Sequence, residues 1–284
     1  MTARDSIQPE VDPGSRQTAG TMFAALYGKL VPHPWRGPEP EGDAYSLFYQ
    51  RALAMGWLAD HLSGTTPGGK DIGVGGLWSM NDAGWDHPLA PAEAPLVAWF
   101  QVEVEAVAYD RSLPVQPFLQ CAGDATRRGG VLDLEAVQLL LPVQGLHAST
   151  LPPEPFLPPM QTMYWFREAN PRSRTGVEIN VNSGQDPRAV AVVRQFTDHL
   201  DRLDQSVFVR MSSSIGSPQA VFKPPFDDRF WNGPPLHGLT LRGELSEWTL
   251  DAIGWLGEVI ADVSARLGLR SPLLLTVTRF GQRR

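Results

Sequence analysis

Between Gly176 and Arg279 the hydrophobic period switches from two residues to the helical spacing and back, and it does so twice. Val177-Glu178-Ile179-Asn180-Val181-Asn182 alternates apolar and polar side chains, the pattern of a strand with one face buried. Asp186 and Pro187 then suit the start of a helix whose apolar stripe is Ala189, Val192, Val193, Phe196, Leu200 and Leu203. Val207 to Ser212 alternates again, and after a loop rich in proline and glycine Leu239-Thr240-Leu241-Arg242 reads as a third strand. Ser246 is placed to cap a second helix carrying Leu245, Trp248, Ala252, Leu256, Val259, Val263 and Leu267; Gly268 and Pro272 end it, and Leu273 to Thr278 supplies a fourth strand.

The order βαββαβ resembles the split-βαβ, ferredoxin-like motif, in which right-handed crossovers place both helices on one face of a four-stranded antiparallel sheet. The resemblance is one of topology and implies no function, because that fold hosts many unrelated ones. It implies strand order fourth, first, third, second. The alternation turns Val177, Ile179, Val181, Val207, Val209, Met211, Leu239, Leu241, Leu273, Leu275 and Val277 towards the helices. The open face then carries Glu178, Asn180, Asn182, Phe208, Arg210, Ser212, Thr240, Arg242, Leu274, Thr276 and Thr278.

The first half is less regular, and the fold class expected for the whole chain is α+β: a C-terminal ferredoxin-like domain over 161–284, preceded by a smaller irregular α+β region over 21–147. Residues 1–20 lack periodicity and are expected to be disordered. Five prolines among the twelve residues 148–159 mark a linker over 148–160. Thr21–Val31 is a short apolar run compatible with strand or helix. Ala44–Leu62 has the stripe of a helix, and Leu96–Tyr109 and Val131–Val143 read as long strands that pair with each other. A change of parity near Val137 predicts a bulge in the latter. No internal repeat is convincing by residue matching, although the first half has the makings of a degenerate partner of the second.

Charge and cysteine content narrow the function. Residues 1–150 hold 9 basic and 17 acidic side chains and residues 151–284 hold 15 and 14, which gives the net charge of −7. The acidic first half repels a polyanion, so nucleic acid is excluded as the main partner. Arginine outnumbers lysine 21 to 3, the bias of a GC-rich bacterial genome. Cys121 is the one cysteine, so no intramolecular disulfide forms and a reducing cytoplasm is expected. Met22–Val31 is interrupted by Tyr27, Gly28 and Lys29, and no apolar run reaches the roughly 20 residues that span a bilayer, so neither a secretory signal nor a membrane partner is expected.

Common chemistries leave no signature. The histidines, His33, His61, His87, His147, His199 and His237, show no metal-ligand spacing, so no metal is assigned. Gly73-Val74-Gly75-Gly76 lacks the third glycine of a dinucleotide fingerprint, no phosphate loop or nucleophile elbow occurs, and no cofactor is assigned. Cys121 has no adjacent base.

Four constellations remain as candidates. Asp86 and His87, with Asp82 between Trp78 and Trp85, have the makings of an acid/base pair beside an aromatic platform, or of a loop closed by local side-chain turns. Glu103, Glu105, Asp133 and Glu135 form a carboxylate cluster if their strands are neighbours. The loop Pro224–His237, with Phe226, Phe230 and Trp231, is longer than a hairpin needs and reads as a lid, a partner-binding loop or an aromatic plug. The open face, finally, offers Glu178 as acid/base and Asn180, Asn182, Arg210 and Arg242 as ligand-binding groups, with arginines suited to a carboxylate or phosphate.

Two functions follow. The first is a protein that binds a small polar or anionic metabolite, an enzyme without a redox cofactor in a specialised biosynthetic pathway, with Glu178, Asp86 and His87 catalytic and Asn180, Asn182, Arg210, Arg242 and Trp231 binding. The second is a non-catalytic protein–protein interaction module, such as an assembly component or an inhibitor-like immunity protein, that docks through a strand edge or the Phe226–Trp231 loop. A homo-oligomer is compatible with either.

Overall fold

A computed structural model describes residues 18–34, 42–59, 76–87, 89–90, 95–107, 111–146, 174–216 and 222–279. Eight strands occur in it: β1 (Thr18–Pro32), β2 (Trp78–Gly84), β3 (Leu96–Glu105), β4 (Gly130–Leu141), β5 (Thr175–Asn182), β6 (Phe208–Gly216), β7 (Gly238–Leu245) and β8 (Leu273–Arg279). Five α-helices accompany them among the described residues: α1 (Ala44–Ala54), α2 (Val115–Gly129), α3 (Arg188–Ala191), α4 (Val193–Arg202) and α5 (Leu250–Arg266). The expected linker over 148–160 and the glycines at 73–75 lie outside the described residues.

All eight strands join one antiparallel sheet in the order β2-β3-β1-β4-β8-β5-β7-β6. The C-terminal strands therefore do not close a sheet of their own; β8 continues into β4 with Ala136 opposite Thr278 and Leu141 opposite Leu273. Within the second half the order is fourth, first, third, second, and within the first half β4-β1-β3-β2 is the same order in mirror position about the β4/β8 seam. Residue matching misses this repeat because the two halves share topology and not side chains.

The helical side holds the main core. Val177, Ile179, Val181, Leu239, Leu241, Leu273, Leu275 and Val277 are buried there, as alternation requires. In the first half Phe48 of α1, Phe118 of α2, and Phe100 and Trp78 of the sheet pack in tilted and edge-on pairs at 5.1–6.1 Å between ring centres. Helices α2 and α5 cross closely because Gly254 has no side chain: a Cβ there would stand 2.5 Å from Gln116 Cα.

Several expectations need correction. The segment Trp78–Gly84, read as a loop, is an edge strand, and Trp78 is fully buried. Strands β3 and β4 do not pair; β1 lies between them. Helix α5 starts three residues later than Ser246 implies, capped by Thr249, whose Oγ1 accepts from Ala252 N at 3.2 Å. The helix after β5 is interrupted at Val192 into α3 and α4. The parity change in β4 comes from a register shift opposite Tyr27 and Gly28 that leaves Glu135 unpaired, a bulge two residues from Val137. Thr18–Gly20 belong to β1. No helix among the described residues is long and apolar enough to cross a membrane.

Candidate functional site

The face of the sheet away from the helices is where the candidate residues collect, and strand register fixes who stands beside whom. One row across it reads Ala25, Gln138, Thr276, Asn180, Thr240 and Ser214, on β1, β4, β8, β5, β7 and β6. The next reads Tyr27, Ala136, Thr278, Glu178, Arg242 and Ser212. A third reads Phe23, Leu140, Leu274, Asn182 and Gly238. The face is thus aromatic over the first half and polar over the second.

Its aromatic part is covered by the chain after β6. Phe226 meets Phe23 edge-on at 5.0 Å, Phe222 stacks on Tyr27 at 4.5 Å, and Trp231 joins them in a second core with Trp99, Leu140 and Leu274. Trp231 is 1% exposed. The aromatic residues of the Pro224–His237 loop therefore form a plug over the open face.

The polar part is largely paired with itself. Tyr27 Oη donates to Gln138 Oε1 at 3.2 Å, and Gln138 Nε2 donates to Phe222 O at 3.1 Å and lies 3.3 Å from Thr276 Oγ1. Burial pushes the Tyr27 phenol up, so it remains a donor. Thr240 Oγ1 donates to Asn180 Oδ1 at 2.6 Å, and Arg242 Nε donates to Glu178 Oε2 at 2.8 Å. Asn182 Oδ1 accepts from Gly184 N at 2.8 Å, but its Nδ2 is buried without a partner among the described residues, as is Trp231 Nε1. Each such orphan donor costs on the order of 1–3 kcal/mol.

The structure brings Glu178, Asn180, Asn182 and Arg242 onto this face and removes Arg210 from it. A register shift between Arg210 and Ser212 inserts Met211 as a bulge in β6, so Phe208 and Arg210 point to the helical side. Phe208 is buried in the main core, Val209 and Met211 are exposed, and Arg210 forms a bidentate pair with Asp201. A bulge is invisible to alternation, which assumes unbroken pairing.

Asp86 and His87 sit at the other end of the sheet. Asp86 O accepts from Trp99 Nε1 at 2.8 Å, and the His87 ring packs edge-on against Trp99 at 4.6 Å, where burial lowers its pKa against the pull of Asp82. His87 Nδ1 accepts from Leu89 N at 3.2 Å, which closes a local turn. His87 leans on Phe23 of β1 and Trp99 of β3, whereas Glu178 is three strands from β1, roughly 14 Å at the usual strand spacing. The three residues expected to be catalytic do not meet. The carboxylates also stay apart: Glu103 accepts from Thr21 Oγ1 at 3.0 Å and Glu105 from Ser79 Oγ at 3.2 Å, while Asp133 lies across β1 opposite Lys29. Among the described residues no group of three or more His, Cys, Asp and Glu is arranged to hold a metal ion. Cys121 is buried and its thiol pushed up to about 12, which makes it a poor nucleophile.

Two features escaped the sequence reading. Gln138 is a lone polar residue in the apolar run from Val137 to Val143, the one signal that its strand needed a hydrogen-bonding partner there. The other is the free edge of the sheet at β6. Its Val209, Met211 and Ile215 are exposed, at 45%, 72% and 59%, although alternation alone turns Val209 and Met211 towards the helices. No family model, no curated protein and no solved structure matches the chain.

Proposed function

We propose that the chain is a non-catalytic protein–protein interaction module that docks an extended segment along β6. The observation that carries this reading is the edge itself. Nine residues long, β6 pairs on one side only among the described residues, and Met211 to Gly216 are all exposed. An edge strand of that length presents a row of unpaired backbone donors and acceptors, the substrate of strand addition. The dispersal of Glu178, Asp86 and His87 supports the same reading, since acid/base chemistry needs groups within hydrogen-bond reach of one reacting atom. In this proposal the two halves are ferredoxin-like units fused through β4 and β8, and the buried free thiol suits a cytoplasmic setting.

The test is fluorescence anisotropy with labelled extended peptides of mixed serine and apolar sequence. Micromolar binding, weakened at least tenfold by the double substitution Met211→Lys with Ile215→Lys, is the expected result. Absence of binding by every peptide, or binding indifferent to the substitutions, refutes the reading.

One observation favours a second function. Asn182 Nδ2, on the third row of the open face, and Trp231 Nε1, in the loop that covers it, are both buried donors unpaired among the described residues, and Trp231 shares a cluster with the Leu274 that faces Asn182. A small ligand with a carbonyl or carboxylate acceptor and an apolar body would satisfy them, which keeps Asn182 and Trp231 as binding residues. A thermal-shift screen of small carboxylates separates the two: stabilisation by one of them that Asn182→Leu abolishes supports this reading, and no hit refutes it.

A further inference from the structure

We propose that the strand β6 accepts is the β6 of a second copy of this chain, so that two eight-stranded sheets join edge to edge as one. The inference rests on the docking reading and names its partner.

The two ends of the sheet differ in how they treat a visitor. At the far end β2 is seven residues long, carries Asn81 and Asp82 at a register shift, and is crossed by the chain at Leu58, which bridges to Trp78. A short, bulged, acidic and partly covered edge is how soluble proteins keep strands from adding. Among the described residues, strand β6 has none of this past its own bulge. Met211, Ser212, Ser213, Ser214, Ile215 and Gly216 include no charge and no proline, and Arg210, which precedes them, is taken by Asp201.

Those six residues fit their own copy. Antiparallel pairing about a two-fold axis at Ser213 sets Ser212 against Ser214 and Met211 against Ile215, so polar meets polar and apolar meets apolar. No like charges come opposite one another, although a chain of net charge −7 repels its copy over most of its surface. The chain already uses the same device internally, where β4 and β8 pair antiparallel to join its halves. Residues 211–215 pair with one another over about 17 Å, with Gly216 opposite Arg210 at either end, a contact smaller than a standard interface, so the association is expected in the micromolar range.

The experiment is sedimentation velocity on the full-length chain from about 1 to 200 μM, a range set to bracket micromolar affinity. Wild type is expected to shift from monomer to dimer across it. Met211→Lys with Ile215→Lys, and separately Met211→Glu with Ile215→Glu, are expected to stay monomeric, and an equimolar mixture of the two is expected to dimerise. Both positions changed carry exposed side chains, and circular dichroism checks that each variant is folded. A wild type that stays monomeric, or a lysine variant that dimerises like wild type, overturns the proposal. The labelled serine and apolar peptides of unrelated sequence used in the docking test separate this failure from that of the docking reading. If one of them binds a wild type that stays monomeric, only the self-partner is wrong; if none binds, both readings fall.

Discussion

Glu258 should make the protein less stable as pH rises through neutrality. It lies on α5, is 4% exposed, and turns towards the start of α2, where Oε1 accepts from Gln116 N at 3.0 Å and Oε2 lies 3.2 Å from Ser112 Oγ. Helix α2 has no side-chain cap of its own, since Pro114 precedes it, and a carboxyl from a neighbouring helix serves instead. Burial nevertheless dominates and pushes the Glu258 carboxyl from 4.5 up to about 8, with the hydrogen bonds from Gln116, Ser112 and Val115 pulling the other way. Between those two values the folded protein holds a proton that the unfolded chain has released, so the proton is lost to folding as pH rises. The Glu258 contribution to stability is most favourable below pH 4.5, falls by up to about 1.4 kcal/mol per pH unit, and levels off above about 8. At pH 7 the accumulated cost is on the order of 3 kcal/mol, a large part of the stability of an ordinary domain. Glu258→Gln keeps an acceptor for Gln116 N and carries no titrating group. Urea denaturation followed by tryptophan fluorescence at pH 5, 6, 7 and 8 should show wild type losing stability relative to the glutamine variant by about 1 kcal/mol or more per unit. Parallel pH profiles for the two proteins would mean that Glu258 titrates normally, and the account of its burial would be wrong.

Two further perturbations test the fold. At Gly254 a methyl group would meet Gln116 Cα at 2.5 Å and Val115 lies close to Gly257 in the same crossing, so Gly254→Ala should push α2 and α5 apart and cost about 1–3 kcal/mol in chemical denaturation, despite the better helix propensity of alanine. Asp186 accepts from Arg188 N at 3.0 Å, from the Arg188 guanidinium at 2.8 Å and from Ser271 Oγ at 2.6 Å, and these bonds, the guanidinium first, hold its carboxyl at about 2. A depressed carboxyl stabilises the fold above the unfolded value of 3.8 and loses that contribution as pH falls towards 2. Because Arg188 is half exposed, the effect is discounted for screening: Asp186→Asn should cost about 1–2 kcal/mol at pH 7 and nearly nothing at pH 2, read from thermal melts at the two pH values.

The C-terminal half was legible in the sequence because local pattern and tertiary environment agree there. The run Val177–Asn182 alternates and is paired on both sides without a break, so which residues are buried follows from period two alone. Strand β6 was misread past Val207 because a bulge depends on how the partner strand is paired, and no property of Arg210 or Met211 announces it. Glu178 and Arg242 could be placed on one face from their strands, but their pairing with each other, which leaves neither for a ligand in this state, required the register.

The first half shows the division more sharply. The sequence by itself determined that the chain is rich in strands and amphipathic helices, that its interior has no disulfide, and that the net charge is acidic. These follow from composition and from spacing within about ten residues. Only the tertiary structure decided that β1 separates β3 from β4, that β4 joins β8, and that Phe222, Phe226 and Trp231 cross from one half to cover the aromatic face of the other. Each of those arrangements is set by which apolar faces must be hidden from water at the same time across more than a hundred residues of chain. The same holds for β6: its exposure is a consequence of being last in the sheet, a position that no stretch of sequence contains.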